Sequence, residues 1–185
     1  MNIFDLFLLA IGDAMDACAI SMAKGTRTHK PTLRHYLSVG IWFGGFQALM
    51  TLIGYFVGAK FAHIVESYDH WISFILLTLL GAGMIKETLS KEKKNIDASF
   101  SAKNMFVMAI ATSIDALAVG VSLAFINVNI WTAALLIGFV TFLLSLAGLK
   151  IGKTFGNKYK SIAEITGGAV LIFIGIRILI SHLLQ

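Results

Sequence analysis

The stretch Gly12-Asp13-Ala14-Met15-Asp16-Ala17-Cys18-Ala19-Ile20 and its echo Ala111-Thr112-Ser113-Ile114-Asp115-Ala116-Leu117-Ala118-Val119 decide how this chain is read. Each places a carboxylate inside a long apolar run, where an ionised side chain costs several kcal/mol unless something compensates it. Two such groups in matching local sequence point to use, not accident. On a helix, the neighbours of Asp16 one turn away are Gly12, Asp13, Ala19 and Ile20, and those of Asp115 are Ala111, Thr112, Ala118 and Val119. Both acids therefore lie on stripes of small residues that let helix backbones approach closely.

The rest of the chain is the setting for these two acids. Hydrophobic residues make up 57% of the 185 and charged residues only 14%. With a mean hydropathy of +0.82, this is too apolar for a soluble domain and reads as an integral membrane protein. Six runs, at about 3 to 23, 37 to 58, 70 to 88, 105 to 126, 130 to 149 and 163 to 182, have the length of a bilayer-spanning helix. They are continuously apolar and do not alternate with period two, which selects helices over a barrel. The expected fold is an all-α membrane protein of six transmembrane helices. Residues 1–88 form a first group of three, 105–185 a second, and the charge-mixed stretch 89–104 a linker between them.

The formal charge of +5 does not mark a nucleic-acid binder, because the Lys and Arg residues lie in short connections and not on one basic face. Thirteen of them fall on one side: Lys24, Arg27, Lys30 and Arg34; Lys86, Lys91, Lys93, Lys94 and Lys103; Lys150, Lys153, Lys158 and Lys160. Lys60 lies on the other side and Arg177 within the last run. The positive-inside rule puts the thirteen in the cytoplasm and both termini outside it. The single cysteine, Cys18, excludes an intrachain disulfide framework, and the first run has neither the basic leader nor the cleavage site of a removable signal.

The halves echo one another. A shift of 99 residues lays Asp16-Ala17-x-Ala19 on Asp115-Ala116-x-Ala118 and Asp13 on Thr112. A shift of 94 lays Gly54 and Gly58 on Gly148 and Gly152, Gly44 on Gly138, and Gly81 on Gly175. Three helices per half is an odd number, so the halves cross the membrane in opposite senses. That is the inverted repeat many secondary transporters build around a midplane site.

If the two small-residue stripes face each other, Asp16 and Asp115 converge. With Thr112, Ser113 and the amide oxygen of Gln47 they make an oxygen-rich site for a hard divalent ion such as magnesium, calcium or manganese. Asp13 reads equally as a ligand and as a supporting or vestibule group. Cys18 points away from Asp16 around the helix, Met15 and Met84 read as core filler, and the five histidines form no pair at metal spacing. Glu164 reads as a helix N-terminal charge, and Arg177 needs a counter-charge, with a site carboxylate one candidate. The glycine pairs Gly54/Gly58, Gly148/Gly152 and Gly81/Gly83 read as packing surfaces. There is no Walker loop, no Gly-x-Ser-x-Gly, no His-Glu-x-x-His and no Cys-x-x-Cys, so no enzyme and no resident cofactor is expected.

At this point the sequence resembles the MntP family of small bacterial manganese exporters. The match is carried by Met15-Asp16-Ala17 with Lys24-Gly25, Phe43-Gly44-x-Phe46-Gln47-Ala48-Leu49-Met50, His70-Trp71-Ile72, Leu80-Gly81 to Met84-Ile85-x-Glu87, and Ala111-Thr112-Ser113-Ile114-Asp115-Ala116-x-Ala118-Val119-Gly120. The resemblance implies a six-helix exporter of manganese ions in the bacterial inner membrane, with Asp16 and Asp115 needed for transport. Asp13 stands where the family often has an uncharged residue, and Thr51 where a proline often follows the methionine. Competing readings are export of cadmium, calcium or an amino acid, and a non-transporting membrane module that recruits partners. Expected partners are the manganese ion and the lipid bilayer, with no nucleic acid and a homo-oligomer left open.

Overall fold

The computed structural model describes residues 3–28, 30–62, 69–89, 99–126, 128–155 and 159–183. Most of the expected linker, together with His29 and His63, lies outside these residues. The described residues form seven α-helices and no strand: α1 Ile3–Arg27, α2 Leu33–Ala62, α3 Asp69–Leu89, α4 Ala102–Thr112, α5 Ile114–Ala124, α6 Ile130–Phe155 and α7 Lys160–Leu183. α2 starts just after Pro31, where the Thr32 N–H donates to His35 Nδ1 at 3.0 Å and the His35 N–H returns to Thr32 O at 2.9 Å. Ser101 caps α4 by accepting from the Asn104 N–H.

By length and hydropathy α2, α6 and α7 qualify as membrane spans, and α4 with α5 makes a fourth if that bent pair counts as one. The apolar part of α3, Trp71–Lys86, is shorter, and α1 carries Asp5, Asp13, Asp16, Lys24 and Arg27 in its 25 residues. The bundle is apolar outside, with Leu135, Phe139, Trp131, Ile41 and Phe56 all more than half exposed. Asp13, Ser21, Lys24, Gln47, Thr51, Thr112, Ser113, Thr141 and Ser145 are buried within it. Apolar outside and polar inside is the distribution a helix bundle adopts in lipid, so this is a multi-pass membrane protein.

Glycine decides which helices touch. A Cβ at Gly148 would lie 2.5 Å from Cys18 O and one at Gly152 1.9 Å from Met22 O, so α6 lies against α1 with no room for a side chain. On the other flank, Cβ atoms at Gly54 and Gly120 would lie 2.0 Å from Leu117 O and 2.2 Å from Thr51 O, which joins α2 to α5. Gly44 and Gly138 approach each other's carbonyls between α2 and α6, and Gly81 and Gly168 do the same between α3 and α7. The packing expected of these glycines is therefore seen, except that Gly83 has nothing within 4 Å. The extensive contacts are α1 with α6 and α7, α2 with α5 and α6, and α3 with α7. Each joins the N-terminal three helices to the C-terminal ones, so the core belongs to both halves at once.

Candidate metal centre

The sequence predicts one helix over about 105 to 126, but the structure breaks it at Ser113 into α4 and α5, bent by 40°. The cause is local. Thr112 Oγ1 donates to Met108 O and Ala109 O at 3.1 Å each. Ser113 Oγ takes Ala109 O, the acceptor its own amide would use in a regular helix, and that amide turns to Ile110 O at 3.1 Å. Two consecutive hydroxyls thus compete with the backbone ladder and open it. The signal was present in the sequence as Thr112-Ser113 inside an apolar run.

The break sets Asp115 in the first turn of α5, where its Oδ1 accepts the Ala116 N–H at 2.9 Å. A carboxylate there meets the positive end of the helix dipole. Thr112 and Ser113 are fully buried beside it. Each hydroxyl spends its proton on a carbonyl and keeps oxygen lone pairs for another partner.

From α1 comes Asp13, wholly buried, and from α2 Gln47, also wholly buried. Gln47 Nε2 donates to Asp13 O and to Asp13 Oδ2, both at 2.9 Å. Asp13 Oδ1 and Gln47 Oε1 have no hydrogen-bond partner. Asp16, one turn on, is half-buried, as is Asp115. The three carboxylates lie within electrostatic reach: Asp115 feels both Asp13 and Asp16, and Asp13 feels Asp16. α1, α2 and the α4/α5 break therefore bring the six expected site residues to one region, and Asp13 is bonded directly to Gln47.

Among the described residues no three His, Cys, Asp or Glu side chains form a ready-made metal cage. The oxygens gathered here belong to amide, hydroxyl and carboxylate groups, the donor types that suit hard cations. The soft atoms of α1 face elsewhere: Met15, Cys18 and Met22 line an apolar cavity of about 450 Å³ between α1, α6 and α7. Arg177 pairs with Asp5 at the far end of α1, not with a site carboxylate. Glu164 Oε2 accepts from Thr88 Oγ1 at 2.9 Å, which ties α7 to α3.

These features define a class: a multi-pass helical membrane protein with carboxylate, amide and hydroxyl oxygens gathered in its interior. Comparison with known proteins narrows it. The family model described as "Putative manganese efflux pump" matches residues 30–179, and the chain belongs to this family, MntP. Proteins named "Putative manganese efflux pump MntP" from Campylobacter jejuni and Desulfitobacterium hafniense are 54% and 46% identical to it. Both alignments cover 99% of this chain, and they cover 98% and 97% of those relatives. A relative of the same name from Acetivibrio thermocellus is 48% identical over 99% of this chain and 93% of its own length. No solved structure matches the chain.

Proposed function

We infer that this protein exports manganese(II) from the bacterial cytoplasm by secondary transport, binding the ion among Asp13, Asp16, Gln47, Thr112, Ser113 and Asp115. The observation that carries the reading is the Asp13–Gln47 pair, buried in the bundle with one oxygen of each side chain unpartnered. Buried oxygens without partners are costly. A divalent cation satisfies both at once, with Asp16 and Asp115 supplying charge. The donors are all oxygen, which favours manganese over cadmium. The names of the relatives point to the same ion.

The architecture that serves this function is six spans in two inverted repeats, 1–88 and 105–185, joined by the cytoplasmic linker 89–104, with both termini outside. The glycine contacts support it because they come in related pairs. Moving Cys18 by 99 and Gly148 by 94 converts the Cys18 O–Gly148 approach into Leu117 O–Gly54, and the same shifts convert Met22 O–Gly152 into Val121 O–Gly58. The Gly44–Gly138 approach maps onto itself, as a contact on a pseudo-two-fold axis must. Because the helices of one half pack mainly on those of the other, alternating access proceeds by sliding at the seams between the halves and not by rocking of two independent bodies.

Export of a divalent cation against an inside-negative potential costs about 4.6 kcal/mol per 100 mV, so it needs a coupled ion. Carboxylates sharing one site can exchange protons for the metal, giving proton influx against manganese efflux. No covalent chemistry is involved. The test is intracellular manganese by mass spectrometry in cells loaded with the metal. Cells with the wild-type protein should hold several-fold less than cells without it, and Asp16→Asn or Asp115→Asn should erase the difference. Equal contents with and without the wild-type protein would overturn the assignment. Indifference of proteoliposome transport to an imposed pH gradient would remove the proton coupling.

A further inference from the structure

Several hydroxyls inside this bundle are spent on the carbonyl four residues back, as in Thr51 to Gln47 O, Ser113 to Ala109 O and Ser122 to Ala118 O. Ser21, Thr141 and Ser145 are different: all three are fully buried, and none of their oxygens has a hydrogen-bond partner.

The three share one seam. α1 and α6 run parallel, with Gly25 against Leu149 O, Gly148 against Cys18 O and Gly152 against Met22 O. One turn before Gly25 and Leu149 lie Ser21 on α1 and Ser145 on α6. One turn further back on α6 lies Thr141, and two turns further back on α1 lies Asp13. The hydroxyls therefore lie between the acid cluster and the Lys24 end of α1, inside the tight Gly25–Leu149 contact.

The related seam between α5 and α2 lacks them. The repeat shifts carry Ser21 to Gly120, which closes on Thr51 O, and Ser145 to Thr51, whose hydroxyl is already bonded to Gln47 O. Of these two related seams it is the closed α1/α6 seam that carries unpartnered hydroxyls, and they burden it because a buried donor or acceptor left unmade loses its solvation. When the seam parts, a cation with part of its water shell repays that loss.

We propose that Ser21, Thr141 and Ser145 form a hydroxyl track that passes a partly hydrated divalent cation between the cytoplasm and the acid cluster. It rests on reading that cluster as the transport site and the Lys24 end as cytoplasmic. The track governs the rate of loading and not the affinity of the final site.

The experiment compares manganese(II) uptake into inside-out membrane vesicles with equilibrium manganese(II) binding to purified protein, followed by the spin-resonance signal of the free ion. Ser21→Ala, Ser145→Ala and Thr141→Val should each slow uptake about fivefold, the worth of one hydrogen bond. Binding should stay within about twofold, since each variant leaves the acid cluster intact. Thr141→Ser, which keeps the hydroxyl, should transport like wild type, and its contrast with Thr141→Val holds even if combined variants fail to fold. Unchanged uptake in Thr141→Val and Ser145→Ala overturns the track. A loss of affinity parallel to the loss of rate also overturns it, because the hydroxyls would then be ligands. Wild-type vesicles that take up no manganese would overturn the transport reading itself, and the track with it.

Discussion

Gln47 grips Asp13 twice, at its main-chain and side-chain oxygens, and the grip leaves Asp13 Oδ1 and Gln47 Oε1 both buried without a partner. The amide fixes the carboxylate's position and turns its second oxygen loose. Gln47→Ala should therefore do more than remove one oxygen from the cluster, because Asp13 loses its orientation as well. Manganese tolerance of cells carrying it should fall toward that of cells without the protein, with transport down at least about tenfold. Gln47→Glu should fare no better, since a fourth carboxylate cannot donate to Asp13. Growth in excess manganese, with metal content measured alongside, checks both.

Gly54 and Gly148 each meet a backbone carbonyl that cannot move aside like a side chain. Gly54→Ala and Gly148→Ala should each lower stability by about 1–3 kcal/mol. Gly83→Ala, with open space around it, should be neutral. Thermal unfolding in detergent separates the two outcomes.

Arg177 belongs to Asp5 and not to the site: its side chain is 45% exposed and that of Asp5 14%. Arg177→Gln should leave manganese efflux within about twofold of wild type, as expected for a partly exposed pair. Asp5→Asn should destabilise more than Arg177→Gln, because it strands a cation near the apolar exterior. Transport and unfolding temperature for the two variants test this ordering.

Lys24 is completely buried; its Nζ donates to Ser99 O at 2.8 Å and lies 4.6 Å from the centre of the Phe100 ring. It ties the basic end of α1 to the segment leading into α4. Lys24→Met keeps the length and loses the bond, at a cost of about 1.5–3 kcal/mol for a charged donor. Lys24→Arg should not restore stability, because the wider guanidinium fork does not fit where one ammonium is enclosed. Unfolding measurements on both variants decide it.

The helices themselves were legible in the sequence because hydropathy is local: a run of apolar residues must be helical to satisfy its backbone in lipid, whatever it packs against. Their observed bounds follow the expected runs, and the family could be read from residues lying on them. The two acids were legible for the same reason, as charges out of place. The partner of Asp13 was not, because it is Gln47, on another helix and 34 residues away in the chain. Nor was the opening at Ser113 in what reads as a continuous helix. There the hydroxyls of Thr112 and Ser113 win over propensity only in a buried setting, where water does not compete for the same carbonyls.

Asp16 and Asp115, with the small residues around them, were determined by the sequence alone: which side chains carry charge into the apolar runs, and which positions leave space for a neighbour. Tertiary structure alone decided which neighbour fills that space. α1 lies against α6 and α7, and α5 against α2, because a glycine on one helix meets a bare carbonyl on another. The fit depends on the shapes of two surfaces far apart in the chain, and no run of residues taken singly contains it.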